Sequence, residues 1–322
     1  MNDLHKYAGI FDDIAPWSGV APPGFFVDFL GTLTSKQFVP GDERHELSLE
    51  LQVGKPSLLV KAGADFWFEA VNWVLAAREA RDRYAMITLG ALHGYQAVGA
   101  CRALQKLNPM PYKLVAVEPI PQNMEWIRCH MRDNGIDPEE QWLIQAAIGP
   151  NNEPAFFPVG APGSGAQNCV STNEDAARKG YLDEFIAQGR TEEALRNLLL
   201  HNTTGLQKEL IKGMDFFGEV RLVSVVTLDD VLGPFERVDL IESDIQESEI
   251  LVFPPFRSLL KRKVRRIHIG THGKAVHQSL LQMFVEDGWD IVFSYEPEST
   301  HETVLGTFST NDGVLSVRNP DV

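Results

Sequence analysis

From residue 84 onward, short apolar runs alternate with stretches whose apolar residues recur at helical spacing. The run from Tyr84 to Leu89 ends at Gly90 and is typical of a strand buried on both faces of a parallel sheet. A helical pattern follows from Gly94 to Leu107, then an apolar run from Lys113 to Val117 and a second helical pattern from Pro121 to Asn134. Strand–helix–strand units of this length predict a parallel sheet with right-handed crossovers.

The same alternation continues to the C-terminus after one interruption. Further strands are predicted at Leu143 to Ile148, Leu222 to Val226, Val238 to Ile241 and Val264 to Ile269, and further helices at Ile250 to Leu260 and His277 to Asp287. Two runs near the end, Trp289 to Tyr295 and Thr303 to Phe308, are predicted to pair with each other. The whole pattern predicts an α/β, Rossmann-like fold whose mostly parallel sheet has an antiparallel edge at its C-terminal end.

The sequence predicts one main domain, preceded by an N-terminal extension and interrupted by an insert. Residues 1–82 are expected to form an irregular extension that contains one helix, from Phe66 to Arg81. The Rossmann-like domain is expected to span 83–322. Residues 160–219 begin with a glycine-rich loop and continue with polar helical stretches, and such a long stretch between strands predicts an inserted helical cap.

Composition and charge narrow the classes of function. Hydrophobic residues make up 44% of the 322, which is enough for a real core, and the formal net charge is −15. An acidic chain repels phosphate backbones, so no nucleic-acid partner is expected. No apolar run is long enough to span a bilayer and no N-terminal signal segment is visible, so no membrane partner is expected. The three cysteines are widely spaced and typical of reduced thiols, which favours a cytoplasmic location.

Two strand ends carry the residues that indicate a nucleoside ligand. Gly90 and Gly94 flank a turn between a predicted strand and a predicted helix, where a ligand can approach the backbone closely. Glu118, before Pro119, lies at the end of the next strand, where a carboxylate can accept hydrogen bonds from ribose hydroxyls. The turn lacks the G-x-G-x-x-G spacing of dinucleotide sites, which disfavours a nicotinamide oxidoreductase, and no Walker A sequence occurs. S-adenosylmethionine (SAM), which has no phosphate, suits this looser turn better.

An ordered series of motifs resembles the FkbM-type methyltransferases over nearly the whole chain outside the insert. The stretch from Tyr84 to Gly149 is similar to their glycine turn and V-E-x-x-P motif. Thr227 to Leu232 is similar to their TLDDLL segment, and Asp239 to Glu249 is similar to their D-L-I-x-x-D-I-Q-G-x-E motif. Ile267 to His272 and Val27 to Gly31 resemble segments of one branch of the family.

The resemblance implies a class I methyltransferase fold and a set of SAM contacts. In this reading the glycine turn lines the methionine end of SAM, Glu118 binds the ribose, and Ala146 and Ala147 approach the adenine. Asp244 and Gln246 face the reacting methyl group. The full set of expected cofactor contacts is Thr88, Gly90, Ala91, Gly94, Glu118, Pro119, Ala146, Ala147, Asp244 and Gln246.

One residue and two residue pairs depart from the family pattern. Thr88 replaces the acid that usually begins the first motif and helps to hold the methionine amino group. Glu247-Ser248 replaces a small, usually glycine-containing pair, and Leu92-His93 replaces residues that are commonly small or polar. Thr88 and Glu247-Ser248 motivate an alternative hypothesis, a non-catalytic binding protein that retains the fold and has lost SAM.

The leading hypothesis is SAM-dependent O-methylation of a hydroxyl on a small molecule or carbohydrate, and the sequence is compatible with a homodimer. Such a reaction needs a base for the hydroxyl proton. His272, on a loop after a predicted strand, is the first candidate base, and His268 is expected to point into the core more readily. Asp244 is preferred over Glu242, which is expected to face the opposite side of the sheet. A divalent metal on Asp244 and the two histidines is conceivable but not favoured, since the spacing matches no dedicated metal motif.

Overall fold

The computed structural model describes residues 4–38, 51–52, 55–58, 65–159, 173–174, 177 and 220–322. The predicted cap at 160–219 therefore lies almost wholly outside the described residues. The described strands, numbered in chain order, are β1 Ser18–Gly19, β2 Phe25–Val27, β3 Leu33–Ser35, β4 Leu51–Gln52, β5 Tyr84–Leu89, β6 Tyr112–Val117, β7 Trp142–Ile144, β8 Ala147–Ile148, β9 Ala155–Pro158, β10 Val220–Val223, β11 Val225–Val226, β12 Leu240–Ser243, β13 Arg266–Thr271, β14 Asp290–Tyr295, β15 Ser299–Thr303, β16 Gly306–Thr310 and β17 Gly313–Arg318.

Helices cover the sheet on both faces. The described α-helices are α1 Asp65–Glu79, α2 Tyr95–Leu107, α3 Pro121–Asp133, α4 Leu228–Leu232, α5 Glu249–Val252, α6 Arg257–Lys263 and α7 Lys274–Glu286, with 3-10 turns at Leu4–Tyr7, Lys36–Phe38, Pro138–Glu140 and Pro254–Phe256. Within the described part of the chain, no helix is both long and apolar enough to cross a membrane.

Seven strands form the central sheet in the order β14-β17-β13-β12-β5-β6-β7. The strands β13, β12, β5, β6 and β7 are parallel neighbours, and β17 runs antiparallel to both β13 and β14. The predicted α/β class with a mostly parallel sheet is therefore confirmed. Because parallel strands end together, the carboxyl ends of β5, β6 and β12 meet at one edge, where open α/β sheets bind ligands.

The pairing expected for the C-terminal runs was wrong. Asp290–Tyr295 pairs with the last strand, Gly313–Arg318, and so joins the central sheet. Ser299–Thr303 and Gly306–Thr310 form a separate hairpin. The run Gly313–Arg318 is buried along nearly its whole length, and its insertion between two strands leaves it covered on both edges.

Side chains alternate between the two faces of the sheet along each strand, and each face packs against its own hydrophobic core. On β5, Met86 faces a core that contains α1, α2 and the N-terminal segment, whereas Ile87 faces a core shared with α4, α6 and α7. In the first core α1 and α2 approach so closely that a Cβ on Gly99 would lie 2.4 Å from the Trp73 ring. Phe29, from the N-terminal extension, is also fully buried there, so described residues of that extension share the core of the sheet.

Two motif segments have a structural explanation. Thr227 begins α4 with a capping box, in which its backbone N–H and hydroxyl donate to Asp230 and its hydroxyl accepts from the Asp230 backbone N–H. The Asp239 carboxylate accepts a hydrogen bond of 3.0 Å from the backbone N–H of Ala85. This contact fixes the start of β12 against β5 and thereby sets where the end of β12 lies.

Candidate active site

A glycine turn leads from β5 into α2 at the carboxyl edge of the sheet. Gly90 adopts φ +75°, and a Cβ at this position would lie 2.1 Å from the carbonyl oxygen of Asp244, at the end of β12. The backbone N–H groups of Gly90 and Ala91 both donate to the Val117 carbonyl at 3.1 Å. Only glycine allows the turn to lie so close to β12 while it is bonded to β6.

Glu118 follows β6 and lies beneath this turn. Its Oε2 accepts from the backbone N–H of Leu92 at 2.9 Å, and its Oε1 accepts from the N–H of Ile120 at 3.0 Å and from the Asn123 amide at 3.1 Å. The side chain is 5% exposed, and this burial raises the pKa of Glu118 to about 7 against the lowering effect of its three donors. The carboxylate thus links the glycine turn to the start of α3.

The first cavity, of about 540 Å³, opens between the glycine turn and the neighbouring strand ends. Six of the residues expected to contact SAM line it: Gly90, Glu118, Pro119, Ala146, Ala147 and Asp244. Ile120, Phe157 and Ile245 add apolar surface to the same walls. The cavity therefore combines one carboxylate at the end of β6 with small and apolar side chains, a lining suited to a nucleoside.

The other four expected contacts lie elsewhere. Ala91 is fully buried in the core, and Gly94 caps α2 with φ +78°, its ideal Cβ position 3.3 Å from Ile127. Thr88 lines a second cavity. Gln246 lines neither cavity but bonds to Asp244.

The second cavity, of about 450 Å³, lies on the other side of Gly90 and is markedly acidic. It shares Asp244 with the first cavity. Among its other lining residues are Glu69 and Gln96 from the helices, Glu242 and His268 from the strands, and Asp312 from the loop before β17. The expectation that Glu242 and Asp244 face opposite sides was wrong, because residues two apart along a strand point the same way.

Asp244 and His272 form the centre of a charged cluster at the edge of the sheet. Nε2 of His272 lies 3.5 Å from Oδ1 of Asp244 and 3.5 Å from Oδ1 of Asp312, and Nδ1 lies 3.5 Å from Oε1 of Glu249. Burial lowers the pKa of His272, but the Glu249 and Asp244 carboxylates, with Asp312, outweigh it and raise that pKa to about 9. The three carboxylates thus favour the protonated ring, although Gln246 Nε2, which is a donor, lies 2.7 Å from His272 Nε2.

The pKa of Asp244 is lower than that of His272. The surrounding protein raises the pKa of Asp244 to about 6 although His272 opposes the shift. The side chain still keeps 44% of its surface exposed, so the carboxyl group is open to solvent and to an acceptor. Gln246 Nε2 donates to Asp244 Oδ1 at 2.8 Å. Gln246 and Glu247 both have positive φ, 51° and 70°, so the backbone after β12 is strained where it presents Asp244.

His268 is held as part of the buried structure. It is 5% exposed, and its Nδ1 lies 2.7 Å from the Ser316 hydroxyl and 3.2 Å from the Asn72 amide. Burial lowers the pKa of His268 to about 3, so the ring is neutral. Its other nitrogen, Nε2, lies 4.0 Å from Glu242 Oε2. The neutral ring and its two bonds are those of a buried structural histidine, although His268 also lines the second cavity.

Sequence reasoning missed the partners that come from distant parts of the chain. Two of these partners lie on α1: Glu69 lines the second cavity, and Trp73 donates a hydrogen bond to Glu242. A third, Asp312, contacts His272 from the loop before β17. No local motif marks these residues, since only the packing of α1 and the insertion of β17 bring them to the site. Among the described residues, no group of three or more His, Cys, Asp or Glu side chains has an arrangement that could hold a metal ion.

Comparison with known proteins gives a consistent family assignment. The model of the methyltransferase FkbM domain matches residues 90–300. A provisionally named methyltransferase of Jannaschia sp. (strain CCS1) is 25% identical over 306 residues, which cover 93% of this chain and 94% of that protein.

Solved structures with a similar fold include methyltransferase FkbM from Methylobacillus flagellatus KT. It is 13% identical, covers 74% of this chain and 45% of its own, and has a TM-score of 0.37. Fibrillarin from Aeropyrum pernix with bound SAM is 10% identical, covers 89% of this chain and 90% of its own, and has a TM-score of 0.34.

Proposed function

Because this chain belongs to the FkbM methyltransferase family, whose domain model spans residues 90–300, we propose that it transfers the methyl group of SAM to a hydroxyl of a small molecule or carbohydrate. The observation that carries the proposal is the cleft at the carboxyl edge of the sheet. There a Cβ at position 90 would lie 2.1 Å from the Asp244 carbonyl oxygen, so only glycine fits against the end of β12. Glu118, at the end of β6, lines the same cavity as Gly90.

The residues of the first cavity fit the adenosine part of SAM. A carboxylate has about four acceptor positions, and three donors occupy Glu118, which leaves capacity for a ribose hydroxyl. Ala146 and Ala147 have small side chains that leave room for a flat ring, with Ile120 as a neighbouring apolar surface.

Asp244 is the proposed general base. A base must be unprotonated when the reaction begins, and a pKa near the working pH makes it effective. Asp244, with its pKa of about 6, meets both conditions near neutral pH, whereas the carboxylates around His272, the first candidate by sequence, favour its protonated form. Asp244 would accept the proton of the acceptor hydroxyl, and bound SAM would supply the methyl group to the hydroxyl oxygen. His272 holds Asp244 in place and keeps it charged.

Several expectations about partners stay proposals of the same kind. The net charge of −15 supports an acceptor without a phosphate backbone and disfavours a nucleic-acid or membrane partner. A homodimer is compatible with this function. The cap expected at residues 160–219 stays a proposal. On either side of it, β9 and β10 pair with each other, and Phe157 of β9 lines the first cavity.

Calorimetric titration with SAM and S-adenosylhomocysteine tests the proposal. We expect both to bind the wild-type protein and to bind Glu118→Ala at least about tenfold more weakly, since a hydrogen bond to a charged group is worth about 1.5–3 kcal/mol. Glu139→Ala, an exposed site outside both cavities, is the matched control. Absence of binding by the wild type would favour the non-catalytic alternative. Binding would justify a screen of hydroxyl acceptors.

A further inference from the structure

Four buried polar residues form a row across the central sheet. Thr88, Glu242, His268 and Ser316 occupy directly paired positions on β5, β12, β13 and β17. None is more than 5% exposed. The row lies beneath α1, and the second cavity opens above the end that carries Thr88, Glu242 and His268.

Glu242 is the acidic member of this row, and few of the described residues around it donate a hydrogen bond to its carboxyl group. Trp73 Nε1 donates to its Oε1 at 3.0 Å, and no Lys or Arg is among the described residues that line the second cavity. Glu69 faces the same cavity and raises the pKa of Glu242 further, beyond the effect of burial. His268 is neutral. Two neighbouring carboxyl groups in such a place favour a positively charged ligand group between them.

Two hydroxyl groups of the same cavity lack partners among the described residues. Thr88 Oγ1 and Ser243 Oγ have no hydrogen-bond partner in this part of the chain, although these residues are 1% and 3% exposed. Buried polar groups are nearly always paired in folded proteins, so two unpaired hydroxyls in one cavity point to a ligand that supplies their bonds. This observation is independent of the acidic character of the walls.

The position of the second cavity identifies the ligand group. The two cavities meet at Asp244, next to Gly90, and the first has the walls expected for adenosine. A molecule that places its adenosine in the first cavity and extends past Gly90 puts its other end into the second. For SAM that end is an amino acid, whose ammonium group is a cation that donates three hydrogen bonds.

We propose that Glu69 and Glu242 together bind the α-ammonium group of SAM, with the Thr88 hydroxyl as a further acceptor. The inference rests on the proposed function. It explains how a chain with Thr88 in place of an acid retains a carboxylate for the amino group, because Glu242 lies directly opposite Thr88 on the next strand.

Two ligands that differ by the amino acid separate this inference from SAM binding as such. S-adenosylhomocysteine carries the ammonium group, and 5′-methylthioadenosine has the same adenosine without the amino acid. For Glu242→Gln and Glu69→Gln we expect the Kd of S-adenosylhomocysteine to rise about tenfold to a hundredfold. The Kd of methylthioadenosine should stay within about twofold of the wild-type value. Glu236→Gln, an exposed position before β12, is the matched control.

Glu69→Gln carries the test if the buried Glu242→Gln variant does not fold, since Glu69 is only partly buried. Equal weakening of both ligands, or weakening of neither, would overturn the inference. An unchanged Kd for S-adenosylhomocysteine together with a raised KM for an amine acceptor would also overturn it and assign the pair to the acceptor. A wild-type protein that binds neither ligand would instead refute the proposed function on which the inference rests.

Discussion

Replacement of Gly90 by alanine tests the close approach on which the whole site depends. Two separate costs are expected. The first is the left-handed backbone at φ +75°, which costs a residue with a Cβ about 1–2 kcal/mol. The second is the contact itself, since the new Cβ would lie 2.1 Å from the Asp244 carbonyl oxygen and one of the two segments must move.

A control variant at Gly135 separates the cost of the contact from the cost of the backbone conformation. It has φ +71°, nearly the same as Gly90, but its ideal Cβ position has no atom within 4 Å. Gly135→Ala should therefore lose only the backbone part, about 1–2 kcal/mol of unfolding free energy. Gly90→Ala should lose a further 1–3 kcal/mol or so, the usual cost of forcing extra atoms into a packed region.

Urea denaturation of both variants and the wild type measures these differences. The same proteins are then titrated with S-adenosylhomocysteine. We expect Gly135→Ala to bind like the wild type and Gly90→Ala to bind at least about tenfold more weakly, because the displaced turn carries Leu92 away from Glu118. Equal stability and equal binding of the two variants would refute the reasoning, since it would mean that the contact with Asp244 positions nothing.

Three further predictions concern the base, the charged cluster and the helix packing. Asp244→Asn should lower kcat by about 10²–10⁴-fold and leave the Kd of S-adenosylhomocysteine within about threefold, as steady-state kinetics and calorimetry would show. The folded-state pKa of His272, about 9, lies above its ordinary value of 6.5, so its contribution to stability is complete below pH 6.5 and is lost as the pH rises through 9. The stability advantage of the wild type over His272→Gln in urea should thus shrink by about 1–3 kcal/mol between pH 6 and 9.5, and a constant advantage would contradict it. Gly99→Ala should lower the free energy of unfolding by about 1–3 kcal/mol in the same assay, because its Cβ would meet the Trp73 ring at 2.4 Å. This loss is expected although alanine favours helices over glycine. A stabilised variant would show that α1 can move away.

Local patterns in the sequence were sufficient for the elements that end at the first cavity. Tyr84–Leu89 is a strand with the predicted bounds, and Gly90 and Glu118 lie at the carboxyl edge of the sheet as expected. The run of apolar residues and the glycine that ends it are neighbours along the chain, so the signal is local. The pairing of the C-terminal strands, in contrast, joins segments that are far apart in the sequence. Gly313–Arg318 inserts between β13 and β14, and no spacing of its own residues distinguishes that position from an edge.

The roles of the charged residues required the structure for a related reason. His272 is expected to be a base when only its position after a strand is known, because the ordinary pKa of histidine suits that role. Its protonation is decided by Asp244, Glu249 and Asp312, one of which lies 40 residues further along the chain and reaches it from the loop before β17. A pKa is set by what surrounds a group in space, so it cannot be predicted before the packing is known.

The polar row shows how a departure from a motif can be compensated by a neighbouring strand. Thr88 by itself suggests the loss of a carboxylate and hence of cofactor binding. In a parallel sheet, however, the position beside Thr88 belongs to a strand more than 150 residues later, and there the chain has Glu242. A site at the carboxyl edge of a sheet is built from the ends of several strands, so a charge needed at one point can come from either neighbour. The loss of SAM therefore does not follow from the change at Thr88, and binding to Glu242→Gln is the measurement that decides between compensation and loss.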